Sequence, residues 1–169
     1  MDTNQLIADL RLLGISTLIP TEPTEPNPNV EPAHLIRGLA EASETRLRLA
    51  LIPVFLRHPE LASLVQPLLS ELSQRGQQTL QFLYTAAMYL QHGWRTRLRT
   101  YLGDLPTIPD LFSHHLKLPA PEWHHGELGL RVLAERQRQV ERSFGDWRGD
   151  YQDAIDAFFK QLELETIRT

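Results

Sequence analysis

The sequence contains no cysteine, which excludes disulfides and thiolate ligands for zinc or iron. Its apolar runs also fall well short of the roughly 20 residues that a membrane-spanning helix needs, so we expect no membrane partner. The N-terminal residues have no basic stretch followed by an apolar run, so no secretory signal is predicted. Together these absences favour a cytoplasmic protein.

An excess of positive charge is also missing. The chain has 17 basic and 21 acidic side chains, a net charge of −4 and an isoelectric point near 6.0. This balance argues against a protein whose whole surface grips nucleic acid, although it leaves a local basic patch open.

The alternation of apolar and polar residues that is typical of β-strands is absent too, whereas apolar residues recur at spacings of three and four almost everywhere. A length of 169 residues fits one compact domain, and 41% of the residues are hydrophobic. We therefore predict an all-α fold, a single-domain antiparallel bundle of about six helices.

The N-terminal part is set apart by proline. Residues 1–19 are predicted to form a helical arm, in which a helix over residues 2–13 ends at Gly14. Residues 20–32 hold five of the 12 prolines and should form an extended linker. We assign the bundle to residues 33–165, and we expect the arm to dock either on this body or on a partner.

Helices are predicted over residues 32–42, 44–57, 60–74 and 77–102, then from 122 or 127 to 143, and over 146–165. The helix over 77–102 has the clearest apolar stripe, which runs from Leu80 to Tyr101. Pro53 should kink the second of these helices. Residues 104–121 contain four prolines and are predicted to be irregular.

Two histidine pairs, His114–His115 and His124–His125, suggest a metal site, because imidazoles with a carboxylate such as Glu127 suit zinc. The spacing does not favour this interpretation. Helical metal sites usually place ligands four residues apart, and adjacent residues of a helix point about 100° apart. Surface or packing roles, or a response to pH, are the alternatives.

Arginines form two stripes. His92, Arg95 and Arg99 share one face of the predicted long helix, and Arg131, Arg138 and Arg142 share a face of the next. Guanidinium groups near aromatic rings suit phosphate or nucleic-acid contacts. A solvated face with ordinary ion pairs, such as Glu127 with Arg131, or an acidic protein partner, would explain the same pattern.

Motifs of catalysis and cofactor binding are missing. The sequence has no glycine-rich phosphate loop, nucleophile elbow or Ser-His-Asp set, so no cofactor is predicted and an enzyme is disfavoured.

Several segments are nevertheless familiar: 46–59 (RLRLALIPVFLRHP), 82–91 (FLYTAAMYLQ), 105–118 with its PDLF, and 145–151 (GDWRGDY). Through them, residues 33–165 resemble a group of small helical bacterial proteins, themselves uncharacterised, that are associated with nucleotidyltransferase domains. The resemblance implies a helical partner of a nucleotidyltransferase in a two-gene cassette. This chain lacks the Gly-Ser and paired-aspartate pattern of the catalyst itself.

Three functional hypotheses follow. The first is a non-catalytic module that binds another protein, either a nucleotidyltransferase or its own copy. The second is a nucleic-acid-binding module that uses the arginine stripes. The third is a metal-dependent enzyme built on the histidine pairs and Glu127.

Overall fold

A computed structural model describes residues 2–16, 23–141 and 146–168, and the regular secondary structure among these residues is helical, with no strand. The α-helices in chain order are α1 (Thr3–Leu12), α2 (Pro32–Glu41), α3 (Thr45–Leu49), α4 (Leu51–Arg57), α5 (Val65–Leu69), α6 (Gln74–Gly93), α7 (Arg95–Leu102), α8 (Glu127–Glu141) and α9 (Trp147–Arg168). Short 3-10 helices span Pro59–Leu64 and Trp123–Gly126. Within these described residues no helix has the length and apolarity to cross a bilayer.

Helix α6 lies at the centre, since it is buried almost continuously from Thr79 to Gln91. It packs against α2, α4 and α8, and α9 covers α4, α7 and α8. Ser73 caps its N-terminus by accepting a hydrogen bond of 3.0 Å from the Gly76 amide. The Arg75 guanidinium donates a hydrogen bond of 2.8 Å to the Glu41 carbonyl. This carbonyl lies at the C-terminal end of α2, where carbonyls lack partners within the helix.

The sequence predicted one continuous helix over 77–102, and this prediction is wrong about the continuity. The chain leaves helical geometry at Trp94, where φ is −114° and ψ is 20°, and α6 and α7 meet there. The indole packs edge-on against the Phe159 ring at 5.6 Å. The apolar stripe continues across the break, so the periodicity of the sequence does not reveal it.

Two other predicted helices are also divided. The one over 44–57 is split at Ala50 into α3 and α4, three residues before Pro53, whose missing N–H removes the bond to the Leu49 carbonyl. The one over 60–74 is wrong over most of its length: a 3-10 helix covers its first turns, and only Val65–Leu69 is α-helical.

The proline-rich segment 104–121 is irregular, as predicted, and α6 side chains hold it in place. The Tyr84 hydroxyl donates to the Pro109 carbonyl at 2.6 Å, and the Tyr89 hydroxyl donates to the Pro119 carbonyl at 2.7 Å. The Gln91 amide donates to the Pro106 carbonyl at 3.0 Å. Because prolines remove N–H donors from this segment, its carbonyls find their partners in side chains instead.

Helix α1 packs into the same core as the rest of the chain. Its side chains Leu6, Ile7 and Leu10 are buried. The carbonyls at its C-terminal end accept from other elements: the His58 Nε2 lies 2.6 Å from the Leu13 oxygen, and the Arg57 Nη1 lies 3.0 Å from the Gly14 oxygen. We expected the arm to dock either on the body of this chain or on a partner, and the structure shows it docked on the body.

Candidate functional site

The arginines predicted to bind phosphate are largely engaged with neighbouring side chains. Arg95 donates to the Thr107 hydroxyl at 2.7 Å, and Arg99 lies 2.8 Å from the Asp104 carboxylate. Arg138 lies 2.7 Å from the Glu135 carboxylate. Exposed pairs of this kind contribute little to stability. Two of these three arginines are therefore ion-paired at the surface, which is the arrangement expected of a solvated face with ordinary ion pairs.

The remaining members of the two stripes differ in their surroundings. Arg131 is exposed and makes no hydrogen bond or ion pair within the described part of the chain; the predicted Glu127 pair is replaced by one between Glu127 and Arg148. Burial, and after it the charge of Arg95, lowers the pKa of His92, so its imidazole takes up a proton less readily than a free imidazole does. Arg142 lies outside the described residues.

The two histidine pairs do not assemble into one metal site. His114 and His115 are exposed in the turn over residues 111–117, whereas His124 and His125 lie in the 3-10 segment before α8. Across residues 2–16, 23–141 and 146–168, no group of three or more histidine, aspartate or glutamate side chains is placed to hold a metal ion. Glu127 is instead bound to Arg148 at 3.1 Å.

His124 and His125 have an uncommon backbone conformation. Both are left-handed, with φ and ψ of 49° and 39° at His124 and 54° and 37° at His125, and Gly126 follows with φ of 83°. Left-handed backbone costs an L-residue roughly 1–2 kcal/mol, although histidine tolerates it better than branched residues do. His124 and His125 therefore do not lie on a regular right-handed helix, the geometry that the prediction assumed for adjacent histidines.

Close packing on α6 holds this turn. A Cβ at Gly126 would lie 2.4 Å from the Tyr89 carbonyl oxygen, and one at Gly93 would lie 2.8 Å from the His125 carbonyl oxygen. A Cβ at Gly129, in the first turns of α8, would lie 2.2 Å from the Tyr89 ring. Three glycines thus permit the turn and α8 to approach α6, and larger residues would separate them.

This packing leaves a recess, here called the histidine cleft, of about 280 Å³. It lies between the end of α6, the left-handed turn and the first turns of α8 and α9. Its apolar wall includes Leu90, Trp94 and Leu130, and its polar lining includes His124, His125, Glu127, Arg148 and Gln152. The sequence predicted His124, His125 and Glu127 as candidates, but it gave no signal for Arg148 or Gln152, which α9 supplies from a distant part of the chain.

A second recess, here called the apolar cleft, lies between α3, α4 and α9 and has a volume of about 370 Å³. It is lined mainly by apolar side chains, with Arg46, Ser16 and Gln161 as the polar members; the apolar members are Ile15, Leu49, Ala50, Pro53, Ala154, Ala157 and Phe158. Sequence reasoning missed this site. A signal was present in the two alanines of α9, since their small side chains leave space along one face.

No protein-family model matches the chain, and neither the curated proteins nor the solved structures include a significantly similar one. The function is therefore argued from these two clefts.

Proposed function

We propose that this chain is a non-catalytic helical module that binds another protein through the apolar cleft. The observation that carries the proposal is the cleft itself, whose volume of about 370 Å³ lies in the range of roughly 300–1,000 Å³ that is usual for ligand sites. Leu49, Ala154 and Ala157 present partly exposed apolar surface there, and burying such surface drives association.

The occupant that fits is an amphipathic helix of a partner protein, with an acidic residue beside its apolar face. Arg46 lines the cleft and is exposed, and within the described residues it has no hydrogen bond or ion pair. An acidic side chain of the partner would pair with this guanidinium, while apolar side chains at spacings of three and four enter between α4 and α9.

The resemblance supplies the identity of the expected partner, a nucleotidyltransferase encoded beside this chain, with a second copy of the chain as the alternative. The proposal keeps the predicted arrangement in which residues 33–165 form an antiparallel bundle of about six helices. It also keeps the N-terminal helix, on its proline-rich connection, as an arm. It includes a cytoplasmic location, and it requires no cofactor.

Light scattering of the purified chain, alone and mixed with the protein encoded by the adjacent gene, tests the proposal. We expect a complex of defined mass. In Ala157→Glu the complex should be lost, because a charge would enter the apolar cleft from an exposed helical position. Gln139→Glu adds the same charge at an exposed position of α8 outside the cleft and should leave the complex unchanged.

Two results would contradict this function. If the mixture contains only separate species, the neighbouring protein is not the partner. If the complex survives both substitutions equally, the apolar cleft is not the interface. A dimer of the chain alone that disappears in Ala157→Glu would identify a second copy as the occupant.

A further inference from the structure

The histidine cleft has the features of a small-molecule site, and it is separate from the apolar cleft. We propose that it binds a phosphate monoester. In this proposal the phosphoryl group lies against Arg148, His124 and His125, and the organic group lies against Trp94 and Leu130.

The cleft contains hydrogen-bond donors that the fold does not use. A guanidinium has five N–H donors, and the contact found for Arg148 is a single one, from Nη2 to the Glu127 carboxylate at 3.1 Å. The side chains of Arg148 and Glu127 are 52% and 61% exposed, so this pair is weak and an incoming anion can share or displace it. The imidazoles of His124 and His125 make no hydrogen bond or ion pair within the described residues.

The backbone of the turn gives a second, independent observation. Two consecutive histidines occupy the left-handed region, and they are held against α6 by the close approach of Gly126 to Tyr89 and of the His125 carbonyl to Gly93. Conformations of this kind cost free energy and cluster at binding and active sites. Here the left-handed turn places both His124 and His125 in the lining of one cleft.

The donor set favours phosphate over other ligands. Within the described residues no three acidic or imidazole groups are placed to bind a metal ion. A phosphate offers at least three acceptor oxygens to one forked guanidinium and two imidazole N–H groups, and guanidinium–phosphate hydrogen bonds are strong. A carboxylate offers two oxygens. The apolar wall formed by Leu90, Trp94 and Leu130 then distinguishes an organic phosphate from the inorganic ion.

Calorimetric titration of the full chain at pH 7 with phenyl phosphate, inorganic phosphate and benzoate tests this proposal. We expect saturable binding of phenyl phosphate, with inorganic phosphate and benzoate each at least about threefold weaker. Absence of saturation with phenyl phosphate by about 10 mM, where even a millimolar Kd would be visible, would overturn the proposal. Equal affinity for benzoate would overturn the phosphate class, and equal affinity for inorganic phosphate would overturn the monoester.

Two variants locate the binding. Arg148→Gln should weaken phenyl phosphate binding about tenfold or more, since it removes the charged fork. His125→Gly removes an imidazole while glycine accepts the left-handed backbone, so the variant should fold and bind several-fold more weakly.

The matched control is Arg138→Gln. Arg138 is exposed on α8, has a comparable ion pair with Glu135, and does not line the histidine cleft. It should bind phenyl phosphate as the parent chain does. If Arg148→Gln and Arg138→Gln have the same affinity, the cleft is not the site and the proposal fails. Thermal unfolding by circular dichroism verifies that each variant is folded.

Discussion

At the scale of single residues, backbone conformation explains several features that side-chain chemistry does not. The turn over residues 111–117 ends like a helix, with the Leu118 amide bound to the Ser113 carbonyl at 2.8 Å and Lys117 in the left-handed region at φ of 57°. Glycine is the usual residue at such a position. Lysine is therefore strained there.

We expect Lys117→Gly to raise the free energy of unfolding by up to about 1 kcal/mol, because it relieves left-handed strain at an exposed residue. Lys160→Gly is the control, since Lys160 is exposed in the interior of α9, and there glycine should lower stability by about 1 kcal/mol. Urea unfolding measures both. Similar losses in the two variants would show that Lys117 is not strained.

At the scale of helices, α1, α4 and α9 are joined by polar contacts at one end of the molecule. Arg57 binds the Glu165 carboxylate with two hydrogen bonds of 3.1 Å while also reaching the Gly14 carbonyl. The hydrogen bond from Arg57, more than any other cause, holds the pKa of Glu165 below its usual range. Because the folded-state pKa is the lower one, this contact stabilises the fold above the unfolded-state pKa of about 4.3.

The stabilisation should disappear as the pH falls through the folded-state pKa of Glu165. We expect Glu165→Gln to lower Tm at pH 7 by about 2–4 °C or less, since the carboxylate is 41% exposed and an exposed pair contributes at most about 1 kcal/mol. Below that folded-state pKa the variant and the parent should converge. Glu71→Gln, at an exposed position without an ion pair among the described residues, should show no such convergence. A Tm difference that stays constant with pH would contradict the assignment.

At the scale of the whole molecule, the N-terminal helix belongs to the main core. Leu6, Ile7, Leu10 and Ile15 are at most 2% exposed, and they join the cluster that includes Leu35, Phe55 and Phe158. Burial contributes roughly 1.5–3 kcal/mol for each of these four side chains, so together about 6–12 kcal/mol, which is comparable to the entire stability of a typical domain. Unfolding of α1 should therefore not be separate from global unfolding.

Leu10→Ala and Leu12→Ala compare the same substitution on one helix. Leu10 is fully buried and its truncation should cost about 2–5 kcal/mol in the global transition, whereas Leu12 is 48% exposed and its truncation should cost under about 1 kcal/mol. Urea unfolding followed by tryptophan fluorescence reports this transition, because the tryptophans lie outside α1. If Leu10→Ala leaves that transition unchanged, the arm folds independently.

Local pattern in the sequence determined the helical class and most helix ends. Apolar spacing of three and four predicted helices where α2, α6, α8 and α9 lie, because this periodicity directly reflects the geometry of one buried face. Gly14 stands at the end of α1 with φ of 78°, where the sequence predicted that the helix would end. The prolines of 104–121 predicted irregular backbone, because missing N–H donors act locally.

Contacts between distant residues decided the rest. The break at Trp94 accompanies packing on Phe159 and the approach of His125 to Gly93, and no local period encodes these contacts. The histidine cleft needs Arg148 from α9 beside His124 and His125, and the apolar cleft needs Phe158 beside Leu49. Helical periodicity gives the direction of each face but not its partner, so only the tertiary structure could bring these side chains together.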